Sequence, residues 1–311
     1  MKSLLAFYFF VGVALGASLD PSRPQFDSLA NRGRIQWDDY KDDIIISQSA
    51  EIIDATPAEL ITRLRNFHKE TTLPARASYS KVGKPVSELT VAEIGHLDKA
   101  FDEDDAAECT LERCAYKFNE KAETSRLIAA KDRVAEAKHL VLLRLTRFAK
   151  TRALLGYEKR DDNIPLAKKS LRLCSFISQR YPKALAFMER HFWKPDSKPT
   201  FIPENSYYRS ETFAGKGKMQ AVFRMTENLE FSENGYLNIE LHLYTNHYFD
   251  SSLRVYEVFD WPADKKKSVL VVTDFAEIDE LKKSNMIRTL FKSRMEEALA
   301  SFRTEDIKKL R

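Results

Sequence analysis

The sequence predicts an α+β protein: an antiparallel sheet packed on a long C-terminal helix, with a large helical insertion ahead of the sheet. Two changes of pattern carry that prediction. From about 110 to 193, apolar residues recur every three or four positions, and Gly and Pro are rare. From 207 to 276 the pattern becomes alternation punctuated by turn residues, and beyond Ser284 a single amphipathic stripe returns. Composition agrees with a folded chain, since 43 % of the 311 residues are hydrophobic and 31 % are charged. Nine Gly and eleven Pro exclude collagen-like and low-complexity readings. The net charge of +4 is small beside 50 basic and 46 acidic residues, so no nucleic-acid partner is expected.

Residues 1–16 have the layout of a signal peptide. Lys2 supplies the positive start, Leu4 to Leu15 is uncharged, and Ala14 and Gly16 precede a cut near Ala17. The run is short for a transmembrane helix, and an uncleaved N-terminal anchor is the alternative. The expected product is exported, periplasmic or extracellular, and soluble after cleavage. No Asn-x-Ser/Thr sequon occurs.

Residues 17–43 read as an extended lead-in, with Asp20-Pro21 and Arg23-Pro24. Residues 44–53, IIISQSAEII, read as a strand from their β-branched content. Thr56, Pro57 and Glu59 form a helix start with a capping box, and Leu60, Ile61, Leu64 and Phe67 continue its apolar stripe. Residues 70–89 look irregular, and Thr90 opens a short helical stretch. The run Asp102-Glu103-Asp104-Asp105 lacks the Gly and closing Glu of a calcium loop and reads as a solvated acidic loop. Cys109, Cys114 and Cys174 allow one disulfide and an odd thiol. Five apart on a regular helix, Cys109 and Cys114 do not face each other, so a bridge between them needs a turn or a helix start at Thr110. Pairing of Cys174 with either is the alternative. No metal and no cofactor is expected.

In the helical half, Leu127, Ala130, Val134, Ala137, Val141, Leu145 and Phe148 form one stripe, expected as one long helix or a bent pair ending at Gly156. A second helical group covers 165–193, interrupted by Pro182. Residues 194–206 carry three prolines and connect the halves; the whole of 70–206 is the insertion and its connector. Strands are expected at 207–213, 217–231, 236–249, 253–261 and 268–276. The expected turns are Glu233-Asn234-Gly235, Asp250-Ser251-Ser252 and Pro262 to Lys267. Ile287, Leu290, Phe291, Met295, Ala298, Leu299 and Phe302 mark the last helix, and 303–311 a charged tail.

The opening Ile44–Phe67 and the ending, SVLVVTDFAEID followed by IRTLFKSRMEEALASF, resemble the START-like, helix-grip superfamily of hydrophobic-ligand binding domains. The likeness covers 44–69 and 207–302, and a large helical insertion departs from it. It implies a curved sheet gripping a long helix around a pocket for a lipid or other hydrophobic small molecule. The lining candidates are Phe223, Met225, Leu241, Leu243, Phe275, Ile287, Phe291 and Met295. An envelope scaffold acting on a partner protein through the helical region is the alternative. Arg144, Arg147 and Lys150, which share a helical face, suit peripheral contact with an anionic membrane. A hydrolase or cyclase is the third reading, with His242 or His247 beside Glu240, Glu257 or Asp260. Arg209, Arg224 and Arg254 are candidates for an anion-binding patch if neighbouring strands bring them into register. No GxSxG, Walker, dinucleotide or HExxH motif is present, so no catalytic residue is assigned.

Overall fold

A computed structural model of the chain describes residues 24–41, 44–69, 77–80, 101–112, 114–116, 118, 121–151, 181–188, 205–213, 222–233, 235–245, 249–278 and 307–311. The fold is α+β. The strands are β1 (Arg34–Lys41), β2 (Ile44–Ile53), β3 (Ala77–Ser80), β4 (Asn205–Phe213), β5 (Val222–Ser232), β6 (Tyr236–Thr245), β7 (Phe249–Asp260) and β8 (Ser268–Ile278). They form one antiparallel sheet in the order β1-β2-β8-β7-β6-β5-β4-β3. From β4 to β8 the sheet is a plain meander, and β3, which precedes the helical insertion, adds beside β4. The early strand β2 then lies against the last, from Ile44 opposite Glu277 to Ile53 opposite Ser268.

The helices are α1 (Pro24–Arg32), α2 (Pro57–Lys69), α3 (Glu103–Glu108), α4 (Lys121–Ala129), α5 (Arg133–Thr151) and α6 (Pro182–Met188). The capping box at α2 forms as its residue types require: Thr56 N donates to Glu59 Oε2 at 2.8 Å, and Glu59 N to Thr56 Oγ1 at 3.4 Å. The expected stripe at 127–148 divides into α4 and α5, because Asp132 accepts from Ala135 N at 2.9 Å and starts a new helix. No described helix is long and apolar enough to cross a membrane.

Several expectations are corrected. Residues 24–41 are not an extended lead-in but α1 and the edge strand β1. Gly33, at φ 70°, ends α1 by donating its N–H to Leu29 O at 2.7 Å and turns the chain into β1. The acidic run is not a solvated loop. Asp102 caps α3 by accepting from Asp105 N at 2.8 Å, and Asp105 is buried. Residues 250–252 are not a turn but part of β7, which carries a register shift between Phe249 and Ser251. Pro182 opens α6, the position where its missing N–H costs nothing, and the part of the expected helical group before Tyr181 lies outside the described residues. The tail is more than charge: Ile307 and Leu310 are buried in the core. The expected helix beyond Ser284 and Cys174 lie outside the described residues.

Cys109 and Cys114 are joined by a disulfide, with Cα atoms 4.3 Å apart. The chain is not helical there, which lets the two sulfurs meet. Around the bridge, Tyr116 OH donates to Asp102 O at 2.5 Å, and its ring lies 4.8 Å from that of Phe101. Arg133 at the start of α5 donates to Ala106 O and Ala107 O at the end of α3.

Among the described side chains, both faces of the five central strands, β2, β8, β7, β6 and β5, are buried except at strand ends such as Ser232 and Asp260. Residues directly opposite in an antiparallel ladder point to the same side. On one side stand Leu229, Phe231, Leu237, Ile239, Leu241, Leu253, Val255 and Phe275, in one cluster with Phe101, Tyr116, Leu127, Leu140, Val141, Phe187 and Met188 of the insertion. This is the insertion face. Further along the same side, Leu29 of α1 packs on Ala50, Val269 and Val271. On the other side, Tyr236, Tyr256, Val258, Leu270 and Val272 pack with Leu60, Leu64 and Phe67 of α2 and with Ile307 and Leu310. This is the α2 face.

Two long-range contacts fix the insertion. Glu233, in the β5–β6 turn, accepts from Lys183 N at 3.0 Å and Ala184 N at 2.9 Å and so neutralises the open N–H groups at the start of α6. Tyr181 OH donates to Glu257 Oε1 at 2.6 Å on the insertion face.

The capping box gives a pH prediction. Hydrogen bonds from Thr56, backbone and side chain, hold the Glu59 carboxyl below its ordinary value of 4.5. A carboxylate lowered on folding contributes stability above its unfolded value, and that contribution is lost as pH falls through the folded value. Glu59→Ala should therefore lower the urea midpoint at neutral pH, and the difference from wild type should shrink below pH 4.5.

Candidate functional site

The α2 face is apolar only at the end where α2 rests. Farther along the strands it becomes polar while staying out of water. A transverse row reads Ser47 on β2, Asp274 on β8, Arg254 on β7, Glu240 on β6 and Asn228 on β5, each directly opposite the next. All five are more than nine-tenths buried. On one side of that row runs Ser49, Val272, Tyr256, Asn238 and Glu230. On the other side lie Ser252, His242 and Thr226, and Thr226 faces His242 across the β5–β6 ladder. A buried charge requires a partner, and the strands supply one by register.

Arg254 Nε donates to Asp274 Oδ1 at 2.5 Å, with both side chains under a tenth exposed. Arg254 also reaches Tyr256 OH at 3.4 Å and stands opposite Glu240 on its other side. Arg65 comes down from α2 and donates to Glu230 Oε2 at 2.8 Å, with its guanidinium 6.0 Å from the Tyr236 ring centre. At the end of the face, Glu51 meets Arg311 and, at 3.9 Å, Arg34. Ser252 Oγ and His242 Nδ1 are 3.2 Å apart, and the ring tautomer decides which donates.

Besides Tyr236, whose hydroxyl also meets no partner, three side chains on this face lack what the others have. Neither Nδ2 nor Oδ1 of Asn228 meets a hydrogen-bond partner in the protein, nor does Thr226 Oγ1, nor Ser49 Oγ. All three residues are at most 1 % exposed, so water from bulk does not reach them. A buried amide or hydroxyl without a partner costs about 1–3 kcal/mol, which makes such groups rare in a core that has only packing to do. Asn228 and Thr226 are neighbours on one side of one strand, two residues apart.

The residues expected to line an apolar pocket divide differently. Leu241 and Phe275 are buried on the insertion face, in the cluster shared with the helices, and not on the α2 face. Phe223 and Met225 lie on β5, opposite Thr212 and Ser210 of β4, and Leu243 lies on β6 beside the β5–β6 register shift; their side chains are outside the described set. Ile287, Phe291, Met295 and His247 fall outside the described residues. Of the acid–base candidates, Glu240 and His242 share the α2 face, Glu257 is on the insertion face, and Asp260 is exposed at the end of β7. Of the arginines, Arg254 belongs to the polar row. Arg209 stands opposite Thr226 in the backbone register, and Arg224 opposite Glu211 and Thr245. The side chains of Arg144, Arg147 and Lys150 also lie outside the described set.

Asp274, Asn228, Thr226, Glu230 and Ser49 were not singled out by the sequence reasoning. Their signal is the alternation Thr226, Asn228, Glu230 against Glu227, Leu229, Phe231, which reads equally as a wet face of a half-buried strand. Among the described residues no group of three or more His, Cys, Asp or Glu is placed to hold a metal ion.

Two measurements check this electrostatic arrangement. Arg254→Met leaves Asp274 buried without its partner and should cost about 3–5 kcal/mol in urea unfolding, whereas Arg254→Met with Asp274→Leu should recover most of it. Burial first, and then the Glu230 carboxylate, push the Tyr236 phenol well above its ordinary 10.0; burial and the Asp105 and Asp102 carboxylates do the same to Tyr116. A phenol raised on folding holds its full stabilising contribution below the unfolded value and loses it as pH climbs toward the folded one. Stability should fall as pH rises past 10.0, and a phenolate absorbance titration of the folded chain should show these two tyrosines ionising only on alkaline unfolding.

No protein-family model matches the chain, and no curated protein matches it in sequence.

Proposed function

We propose that this chain is an exported binding protein that carries a lipid or other hydrophobic small molecule with a polar head, seated in a helix-grip arrangement with its head on the α2 face. The observation that carries the reading is the polar row on that face, buried and crossing five strands, with Asn228 and Thr226 left without protein partners beside the Arg254–Asp274 pair. A core built for packing alone gains nothing from such a row, while a binding face needs a few fixed polar groups to orient a ligand. The strand order supports the same reading. The strand that leads into the capping-box helix lies next to the last strand of the meander, which joins the two segments that carry the resemblance.

Ser252 and His242, with Glu240 two residues before the histidine, favour a hydrolase as the second reading, because hydroxyl and imidazole already stand 3.2 Å apart. The scaffold reading has less behind it. Leu111 and Leu143 are the exposed large hydrophobics among the described residues, too small an area for a docking surface.

Native mass spectrometry of the mature chain from its exported compartment tests the carrier reading. A stoichiometric extra mass, recovered by organic extraction after denaturation, is the expected result. A clean ligand-free mass together with no uptake from a lipid mixture overturns it. Labelling of Ser252 by a fluorophosphonate, lost in His242→Ala, would replace it with the hydrolase reading.

A further inference from the structure

We infer that the outer edge of β1 docks a second copy of this chain, its own β1 added antiparallel across a twofold axis at Gln36, so that the two sheets run on as one. This goes beyond the binding reading and does not depend on it. β1 ends the strand order, and among the described residues no strand lies beyond it. Its pairing with β2 is unbroken, from Arg34 opposite Glu51 to Lys41 opposite Ile44. Next to that run, Ile52 N donates to Gly33 O at 3.0 Å. Bonded and non-bonded pairs alternate along an antiparallel ladder, so Ile35, Trp37, Asp39 and Lys41 turn their N–H and C=O groups toward β2. Arg34, Gln36, Asp38 and Tyr40 therefore turn theirs outward. Proteins guard such an edge with a bulge, a proline or a very short strand. β3, at the opposite edge of the sheet, has only 4 residues. β1 has 8, with no proline and no register shift. The helix before it packs inward, with Leu29 on Ala50, Val269 and Val271.

The sequence of β1, RIQWDDYK, points to the occupant. Two copies exchange main-chain hydrogen bonds only where outward positions meet, and registers centred on Gln36, Trp37 or Asp38 overlap most of them. Centred on Gln36, the pairing sets Arg34 opposite Asp38 at both ends and Ile35 opposite Trp37 between them. Opposite charges and aliphatic–aromatic pairs are the combinations that stabilise a ladder. Centred on Trp37, it sets Ile35 opposite Asp39. Centred on Asp38, it sets that aspartate against its own copy. A strand basic at its start and acidic farther on is complementary to itself when turned end for end, which is the condition of an isologous interface. Arg34 stands 3.9 Å from Glu51 of its own chain, and its guanidinium has donors enough for a second carboxylate.

Sedimentation of the whole chain from about 1 to 100 μM, the span over which modest contacts populate, is expected to show a monomer–dimer equilibrium that weakens with added salt. Gln36→Pro removes an outward N–H and no bond to β2, so the chain should keep its far-UV spectrum and lose the dimer. Asp38→Arg sets like charges opposite each other and should weaken association about tenfold or more. Under mild oxidation Gln36→Cys should link two chains well above the wild-type background, and Trp37→Cys should not. A monomer throughout the span, a dimer that survives either Gln36→Pro or Asp38→Arg, or linkage through Trp37→Cys in place of Gln36→Cys overturns the inference. If Gln36→Pro does not fold, Asp38→Arg and the Gln36→Cys linkage decide.

Discussion

A sheet covered on both faces is the constraint on which the rest of this structure depends. Over most of their described length the central five strands bury the side chains of both faces, so alternation no longer separates core from solvent. The two faces meet the demand differently. The insertion face fills with Leu, Ile, Val and Phe against helices, with Tyr181–Glu257 as a polar tie. The α2 face fills with hydrocarbon only under α2 and then turns to charge and amide chemistry. Its carboxylates are answered across strands or from the helix: Asp274 by Arg254, Glu230 by Arg65, Glu51 by Arg311. Ion pairs of this kind contribute little net stability over a hydrophobic alternative, but removing one partner is costly. They therefore fix register more than they add strength.

The helices are tied to the sheet at points where their own ends need help. Glu233 sits in a tight β-turn, yet its carboxylate satisfies the first N–H groups of α6. Arg133 begins α5 and closes the carbonyl end of α3, next to the Cys109–Cys114 bridge. Gly235, at φ 121°, makes the Glu233 turn tight, and an added Cβ there would stand 3.3 Å from Val258 O. One glycine thus sets the geometry of the β5–β6 hairpin and, through Glu233, the seat of a helix that precedes it in the chain.

Local chemistry was the legible part of this sequence. Thr56 and Glu59 announced α2, the IIISQSAEII run announced β2, and alternation from 236 to 243 announced β6. Non-local chemistry was not legible. β1 has no hydrophobic run of its own and exists because β2 offers it an edge, with Ile35 opposite Ala50 and Trp37 opposite Gln48. The acidic run at 102 looked solvated because a cap and a buried helix turn use the same residues as a wet loop. The polar row was hidden for the same reason. Asn228, Glu240, Arg254 and Asp274 each look like a solvent-facing position on an amphipathic strand, and only the pairing of four strands shows that they meet. The apolar residues read as lining, Leu241 and Phe275, were recognised as buried, but the side they bury toward depends on where the insertion folds back.

The pairing of β2 with β8 also sets a schedule. A ribosome releases β2 early and its partner last; the bond from Gln48 Nε2 to Thr273 Oγ1 joins residues 225 positions apart. Until then a strand opening with three isoleucines has one ladder edge waiting, and only β1, joined to it by a short connection, can occupy the other. Such a half-paired, apolar strand is the kind of segment that nascent chains aggregate through. The early hairpin with β1 occupies one of those edges, and the other stays open until β8 emerges.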